Sequence, residues 1–449
     1  MYSKKIESIL KRNKIKIGDR ILLKQDKKHF EGLLMPQYGD PDTIVLKLDN
    51  GYNIGLKFSG TITKSKHSTP REVKKEEKYE LGRVSKDLLK LKFDPKKPPI
   101  SIISTGGTIS SRIDYKTGAV TGLEDPREFL HNVPELSKIV NVRRLDKPFT
   151  KMSEDMDHKD WIKIAENVAR NLNAGDKGVI VTHGTDALHF TAAALSFFLK
   201  NLSKPVVLVG AQRSTDRGSS DAGMNLLCAA HACLSDIAEV GICMHGSIND
   251  DYCLFNRGTK VRKMDTQRRD AFRPINEKPL ALVFPNGKII KENTYKKRTD
   301  KKVELDTKFE PRVAIIKSHP MADPSVIDYY VSKGYRGFVL ETMGLGHVPT
   351  NGKYSWIATI KKHVKKGIPF VSATGTIYGR INPNVYSNLR KLYQESGAIS
   401  LGDMTVETAF VKLGWILGHT KDFDKVKEMM LTNYAGEMTS RTLPETFLY

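Results

Sequence analysis

Several things are scarce in this sequence, and each scarcity excludes something. Four cysteines occur in 449 residues, Cys228, Cys233, Cys243 and Cys253, with no CxxC spacing. That excludes a disulfide scaffold, and the thiols read as reduced, half-buried core groups. No apolar run approaches the roughly 18 residues that a membrane span needs, and the charged residues 1–10 lack a signal-peptide core. No GxxxxGK[ST] loop is present, so ATP is not expected on this chain. The histidines lack metal-ligand spacing, and no metal is expected either. Acid is scarce too: 51 Asp and Glu face 73 Lys and Arg, a net charge of +22. What remains is ordinary: 39% hydrophobic and 28% charged residues exclude a collagenous or wholly disordered chain. The expectation is a cytoplasmic protein of two to four domains.

The basic excess is uneven. Residues 1–98 carry 24 Lys and Arg against 13 Asp and Glu, an excess of 11 in about a fifth of the chain. A polyanionic partner leaves such a footprint, although growth at high temperature also enriches lysine. Short β-prone runs at 20–23, 30–35, 43–48 and 52–57 are separated by turn chemistry. Asn50-Gly51 suits a type I′ hairpin, and Gly39-Asp40-Pro41-Asp42 marks a second turn. These features predict a small β-barrel over 1–70 and a partly helical linker over 71–98. From residue 100 the pattern changes to apolar strand runs (100–104, 178–182, 205–209) alternating with helical stretches (161–172, 187–199, 225–234). This predicts βαβ units around a parallel sheet over 99–295. A Lys-rich polar break covers 286–311, and a second α/β domain is expected over 311–449.

In such sheets, ligands bind in loops at the carboxyl ends of the strands. Two loops stand out. Thr105-Gly106-Gly107-Thr108 follows the first strand run, where paired glycines allow close backbone approach and threonines supply hydroxyls. His183-Gly184-Thr185-Asp186 follows the second and precedes a helix, which puts Thr185 and Asp186 at the helix start, where free N–H groups can hold a carboxylate.

Together these loops resemble the two signature loops of the type I/II L-asparaginase family. The resemblance continues through Ser153-Glu154-Asp155-Met156, Val209-Gly210-Ala211-Gln212-Arg213 and Lys263, and covers residues 99–449. It implies an asparaginase-like pair of α/β domains, with Thr105, Thr185, Asp186 and Lys263 as catalytic groups. Ser153 and Glu154 match contacts to the substrate carboxylate and amine, and Tyr115 matches a mobile-lid tyrosine. His183 fits its motif and is expected to serve backbone geometry. A lysine acts as base only when neutral, so burial or a second cation must help it lose its proton. The expected arrangement is a Thr185–Lys263–Asp186 relay with Thr105 attacking, although the residues alone do not choose between the two threonines.

The first 98 residues and the basic run 261–273 depart from a plain asparaginase. Both resemble the D-subunit family of archaeal glutamyl-tRNA(Gln) amidotransferases, as does the stretch 114–120. That resemblance implies a glutaminase that pairs with the amidotransferase E-subunit, as a heterodimer or a dimer of heterodimers. The partner would bind glutamyl-tRNA(Gln), use ATP and Mg2+, and accept the ammonia; this chain would carry no cofactor. Two rival readings are a free L-asparaginase with an accessory domain and an RNA-binding scaffold without catalysis. The intact Thr105, Thr185, Asp186 and Lys263 set opposes the second rival.

Overall fold

The computed structural model describes residues 2–25, 28–37, 39–48, 53–65, 93–113, 120–122, 133–215 and 217–449. The Asn50-Gly51 turn, residues 66–70 at the end of the expected barrel, residues 71–92 of the expected linker, and Tyr115 with the rest of 114–119 lie outside the described residues.

Near the N-terminus, helix α1 (Lys4–Arg12) precedes five strands: β1 (Arg20–Gln25), β2 (Lys28–Leu34), β3 (Thr43–Lys47), β4 (Asn53–Lys57) and β5 (Thr61–Lys64). They form an antiparallel sheet of order β4-β3-β2-β1-β5. Four of these strands were expected; α1 and β5 were not. Period-2 alternation points Ile21 and Leu23 of β1 inward. Ile6 and Leu10 of α1, one helical turn apart, join the same core with Leu34, Ile44, Leu46 and Ile62. Apart from Ile6, Ile9 and Leu10 the helix is polar, so packing rather than composition supports it. At the Gly39–Asp42 turn the Asp40 carboxylate accepts from the Asp42 N–H (3.1 Å) and the Thr43 hydroxyl (2.9 Å).

An eight-stranded sheet forms the larger α/β domain. In chain order its strands are β6 (Pro99–Ser104), β7 (Asn141–Asp146), β8 (Val179–Thr182), β9 (Val206–Val209), β10 (Val240–His245), β11 (Cys253–Arg257), β12 (Ala281–Val283) and β13 (Ile289–Lys291). The spatial order is β13-β12-β11-β10-β9-β8-β6-β7. From β7 to β10 the pairing is parallel; from β10 to β13 it is antiparallel. The parallel core was expected and the antiparallel extension was not, because β10 and β11, buried throughout, carry no alternation that reports strand direction. Helices α2 (His158–Asn173), α3 (Leu188–Phe198) and α4 (Ala222–Leu234) pack against this sheet. The cysteines sit on α4, β10 and β11, each at 0% exposure, so they are fully rather than half buried. Burial pushes the Cys233, Cys243 and Cys253 thiols up and keeps them protonated.

The second α/β domain has four parallel strands in chain order, β14 (Val313–Lys317), β15 (Gly337–Thr342), β16 (Phe370–Thr374) and β17 (Ile399–Ser400). Its longer helices are α5 (Ser325–Ser332), α6 (Ile357–Val364), α7 (Val406–Leu417) and α8 (Phe423–Leu431). Helix α7 is buried on nearly every side, between α3 and the second sheet, and joins the two domains in one core. The segment 286–311, expected as a polar break, folds back onto the first domain. Asn173 and Val303 exchange hydrogen bonds at 2.9 Å in both directions, and Phe309 stacks on His158. Its lysines face water while its backbone is anchored, which composition alone does not reveal.

Candidate active site

Three loops converge beyond the ends of β6 and β8. Thr105 leaves β6 with its N–H and its hydroxyl both donating to the Thr182 carbonyl, at 3.1 and 2.9 Å. Gly106 (φ +112°) and Gly107 (φ +79°) then turn through the left-handed region that favours glycine. Space demands glycine as well: a Cβ on Gly106 would lie 2.5 Å from the Lys151 carbonyl oxygen, and one on Gly107 2.3 Å from the Gly184 nitrogen. The 105–108 loop is therefore wedged between the chain at Lys151 and the 183–186 loop. Lys151 donates its N–H to the Thr105 carbonyl (3.0 Å) and its ammonium to Asp160 (2.7 Å), in the capping box that opens α2.

His183 is fully buried. Its Nδ1 meets the Gly184 carbonyl at 2.7 Å and its Nε2 the Thr191 hydroxyl at 2.9 Å. Burial lowers its pKa to about 4, so it stays a neutral bracket for the loop. Thr185 and Asp186 were expected at the helix start, yet the cap is Ala187, whose N–H donates to Ser153 Oγ at 3.2 Å. Ser153 thus lies beneath the turn, buried, with Glu154 exposed beside it. Gly210 of the 209–213 loop also abuts Thr185, since a Cβ there would come within 2.8 Å of Thr185 Cγ2.

Lys263 arrives from the opposite side, at the end of a short hairpin pairing Val261–Lys263 with Phe272–Pro274. Its ammonium lies 2.9 Å from Thr185 Oγ1 and 2.6 Å from Asp186 Oδ1. The lysine side chain is 10% exposed and the aspartate 68%, so the pair lies at the mouth of the site. Thr185, Asp186 and Lys263 are thereby in mutual contact, while the Thr105 hydroxyl engages the main chain. A cavity of about 460 Å3 opens from Ser153, Glu154 and Asp186 toward an aromatic wall of Trp161, Phe190, Phe309 and Phe410. Two larger clefts, of about 600 and 740 Å3, border none of these residues.

Asp221 and Asn225 escaped the sequence reading. The Asp221 carboxylate accepts from the N–H groups of Gln212 and Arg213 at 3.0 Å, and Asn225 donates to the Gly210 carbonyl at 3.1 Å. Together they hold the 209–213 loop against Thr185. Two polar residues four apart at the start of the otherwise apolar α4 were the available signal. Among the described residues no group of His, Cys, Asp and Glu is arranged to hold a metal ion, and no helix is long and apolar enough to cross a membrane.

Family models for the asparaginase N-terminal domain match residues 99–296, for the glutaminase/asparaginase C-terminal domain residues 312–430, and for the GatD N-terminal domain residues 15–64. The chain is 47% identical to the glutamyl-tRNA(Gln) amidotransferase D-subunit of Pyrococcus horikoshii, over 99% of this chain and 100% of that one. It is 42% identical to the protein of the same name from Methanobrevibacter smithii, over 100% and 99%. Among solved structures it is similar to the thermostable L-asparaginase of Thermococcus kodakarensis, with a TM-score of 0.67 and 26% identity. That likeness covers 76% of this chain and 99% of the asparaginase.

Proposed function

The chain belongs to the D-subunit family of glutamyl-tRNA(Gln) amidotransferases, and from that premise we propose that it hydrolyses glutamine to supply ammonia. The ammonia would convert glutamyl-tRNA(Gln) to glutaminyl-tRNA(Gln) on a partner of the E-subunit kind. That partner would bind the tRNA and use ATP and Mg2+, neither of which is assigned to any residue of this chain. The reaction would place the complex in the cytoplasm.

The observation that carries this reading is the Lys263 ammonium bridging Thr185 and Asp186, at 2.9 and 2.6 Å. Amide hydrolysis needs a nucleophile, a proton acceptor and donors for the developing oxyanion. In the proposed mechanism Lys263 acts as a neutral amine: the Thr105 oxygen attacks the carboxamide carbon, and its proton passes through the Thr185 hydroxyl to that amine. Thr185 and Lys263 return that proton to the departing nitrogen, the C–N bond breaks, and ammonia leaves. Water then cleaves the acyl-threonine ester through the same groups and releases glutamate. Asp186 orients the lysine amine throughout. Ser153 and Glu154, on the wall of the neighbouring cavity, would hold the substrate's carboxylate and amine, and Tyr115 would close over it.

The free-asparaginase reading is less well supported. The likeness to a free-standing asparaginase covers 76% of this chain, and the GatD N-terminal domain match at 15–64 lies outside both asparaginase domains. The deciding experiment compares hydrolysis of glutamine and asparagine by the chain alone and with its partner and glutamyl-tRNA(Gln). Glutamine hydrolysis that rises in the complex is the expected result. Equal hydrolysis of asparagine, indifferent to partner and tRNA, would favour the rival.

A further inference from the structure

The chain segment that delivers Lys263 is held by the other α/β domain. Thr408 donates its hydroxyl to the Thr259 carbonyl at 2.9 Å. Lys260, fully buried, places its ammonium 2.8 Å from the Asp403 carboxylate and 2.9 Å from the Asp403 carbonyl. Arg262 Nε lies 3.2 Å from Glu407 Oε1. Residues 403–408, at the start of α7, thus grip residues 259–262 immediately before the lysine. The Lys260–Asp403 pair is sealed from water at both ends, which suits a fixed joint.

Glu407 does something the other two do not. The same Oε1 that meets Arg262 lies 4.0 Å from His189 Nε2, and both side chains are about nine-tenths buried. His189 lies in the first turn of α3, four residues after Thr185 in the chain. One carboxylate oxygen therefore faces both the strand that carries Lys263 and the helix that follows Thr185 and Asp186. The His189 Nδ1 has no hydrogen-bond partner among the described residues. Burial, together with Arg262, Lys263 and His183, keeps that ring neutral against the pull of Asp186. Burial pushes the Glu407 carboxyl up, and of the charged groups that face it, Arg262 from the hairpin opposes that shift and Glu341 from β15 adds to it. Arg262 is therefore its counter-ion.

We propose that Glu407, supplied by the C-terminal α/β domain, is a positioning residue for Lys263, fixing Arg262 and balancing its charge beside the lysine. The inference rests on the glutaminase reading above. An unbalanced guanidinium next to Lys263 would disfavour the ammonium form of the lysine, whereas loss of the guanidinium would favour it. The two partners of this ion pair should therefore move the pH dependence of turnover in opposite directions, which a purely structural contact would not do.

The test uses the full chain in complex with its partner and glutamyl-tRNA(Gln), following glutamine hydrolysis from acid to alkaline pH. In Glu407→Gln the acid limb of the kcat profile should move to lower pH by about half a unit or more. KM should stay within about twofold, since Glu407 touches no substrate. In Arg262→Gln the same limb should move to higher pH. Melting curves report whether each variant is folded, and partly exposed Arg262 supplies the test if Glu407→Gln does not fold. Unmoved limbs, or shifts of one sign in both variants, overturn the inference and leave the glutaminase reading standing. A wild-type complex that does not hydrolyse glutamine overturns both.

Discussion

Lys263 has two oxygen partners, Thr185 Oγ1 and Asp186 Oδ1, and a single substitution separates them from it. In Thr185→Val or Lys263→Met, glutamine turnover is expected to fall on the order of 100- to 10,000-fold, the range typical of a lost proton-transfer group. The melting temperature should barely change, because both side chains line a loop-built site rather than a core. Full glutaminase activity in Thr185→Val would sink the assignment. Thr105 poses a different question, since its hydroxyl donates to the Thr182 carbonyl and must turn to attack. The two buried histidines carry a pH prediction. Folding lowers His183 from 6.5 to about 4 and His189 from 6.5 to about 3, in both cases chiefly by burial. The unfolded chain therefore binds more protons below pH 6.5, and this part of the stability, fully present above 6.5, is lost as pH falls toward 4 and 3. Each ring contributes at most about 1.4 kcal/mol per pH unit in that window. His189→Gln should lose less melting temperature between pH 7 and pH 5 than the wild type; identical losses would refute the account.

Among the elements, the glycine loop after β6 tolerates little change. A Cβ on Gly107 would meet the backbone of Gly184, and its φ of +79° adds strain of about 1–3 kcal/mol for any other residue. Gly175, at φ +100°, has open space around it and serves as the control. Gly107→Ala should displace the 183–186 loop and abolish most glutaminase activity. Gly175→Ala should cost a small amount of stability and leave turnover intact. Equal activity losses in the two variants would mean that backbone strain, not loop contact, is responsible. The Lys263 hairpin shows the complementary case, in which an element with two three-residue strands becomes precise because Asp403, Glu407 and Thr408 hold it from outside.

Over the whole molecule, the small N-terminal domain has its own core, distinct from the one shared by the two α/β domains. Every residue of the candidate site lies in the larger unit, and Phe93 already packs against that unit's core. A chain beginning at Phe93 should therefore retain basal glutamine hydrolysis while losing affinity for the partner. Removal of the excess positive charge in residues 1–92 makes tRNA affinity the second readout, at two salt concentrations. A large salt-sensitive fall would assign direct phosphate contact to this domain, and an unchanged tRNA affinity would assign docking. Loss of basal hydrolysis in a folded truncation would refute the separation of roles.

The sequence by itself determined the strand–loop–helix frame, because β6, β8 and β9 are short apolar runs ending in glycine loops, and such runs fold as buried parallel strands wherever helices cover them. Its motifs singled out Thr105, Thr185, Asp186 and Lys263, but could not say which would touch. Contact depends on side chains 78 residues apart in the chain meeting at 2.9 Å, and local pattern carries no record of that distance. Helix α1 and the anchoring of 286–311 were equally illegible, since each owes its conformation to partners elsewhere in the chain, and the antiparallel extension was hidden because fully buried strands carry no alternation that reports direction. The same holds for Asp221, Asn225 and Glu407. They lie outside the signature loops, as residues whose importance comes only from what the tertiary fold sets against them.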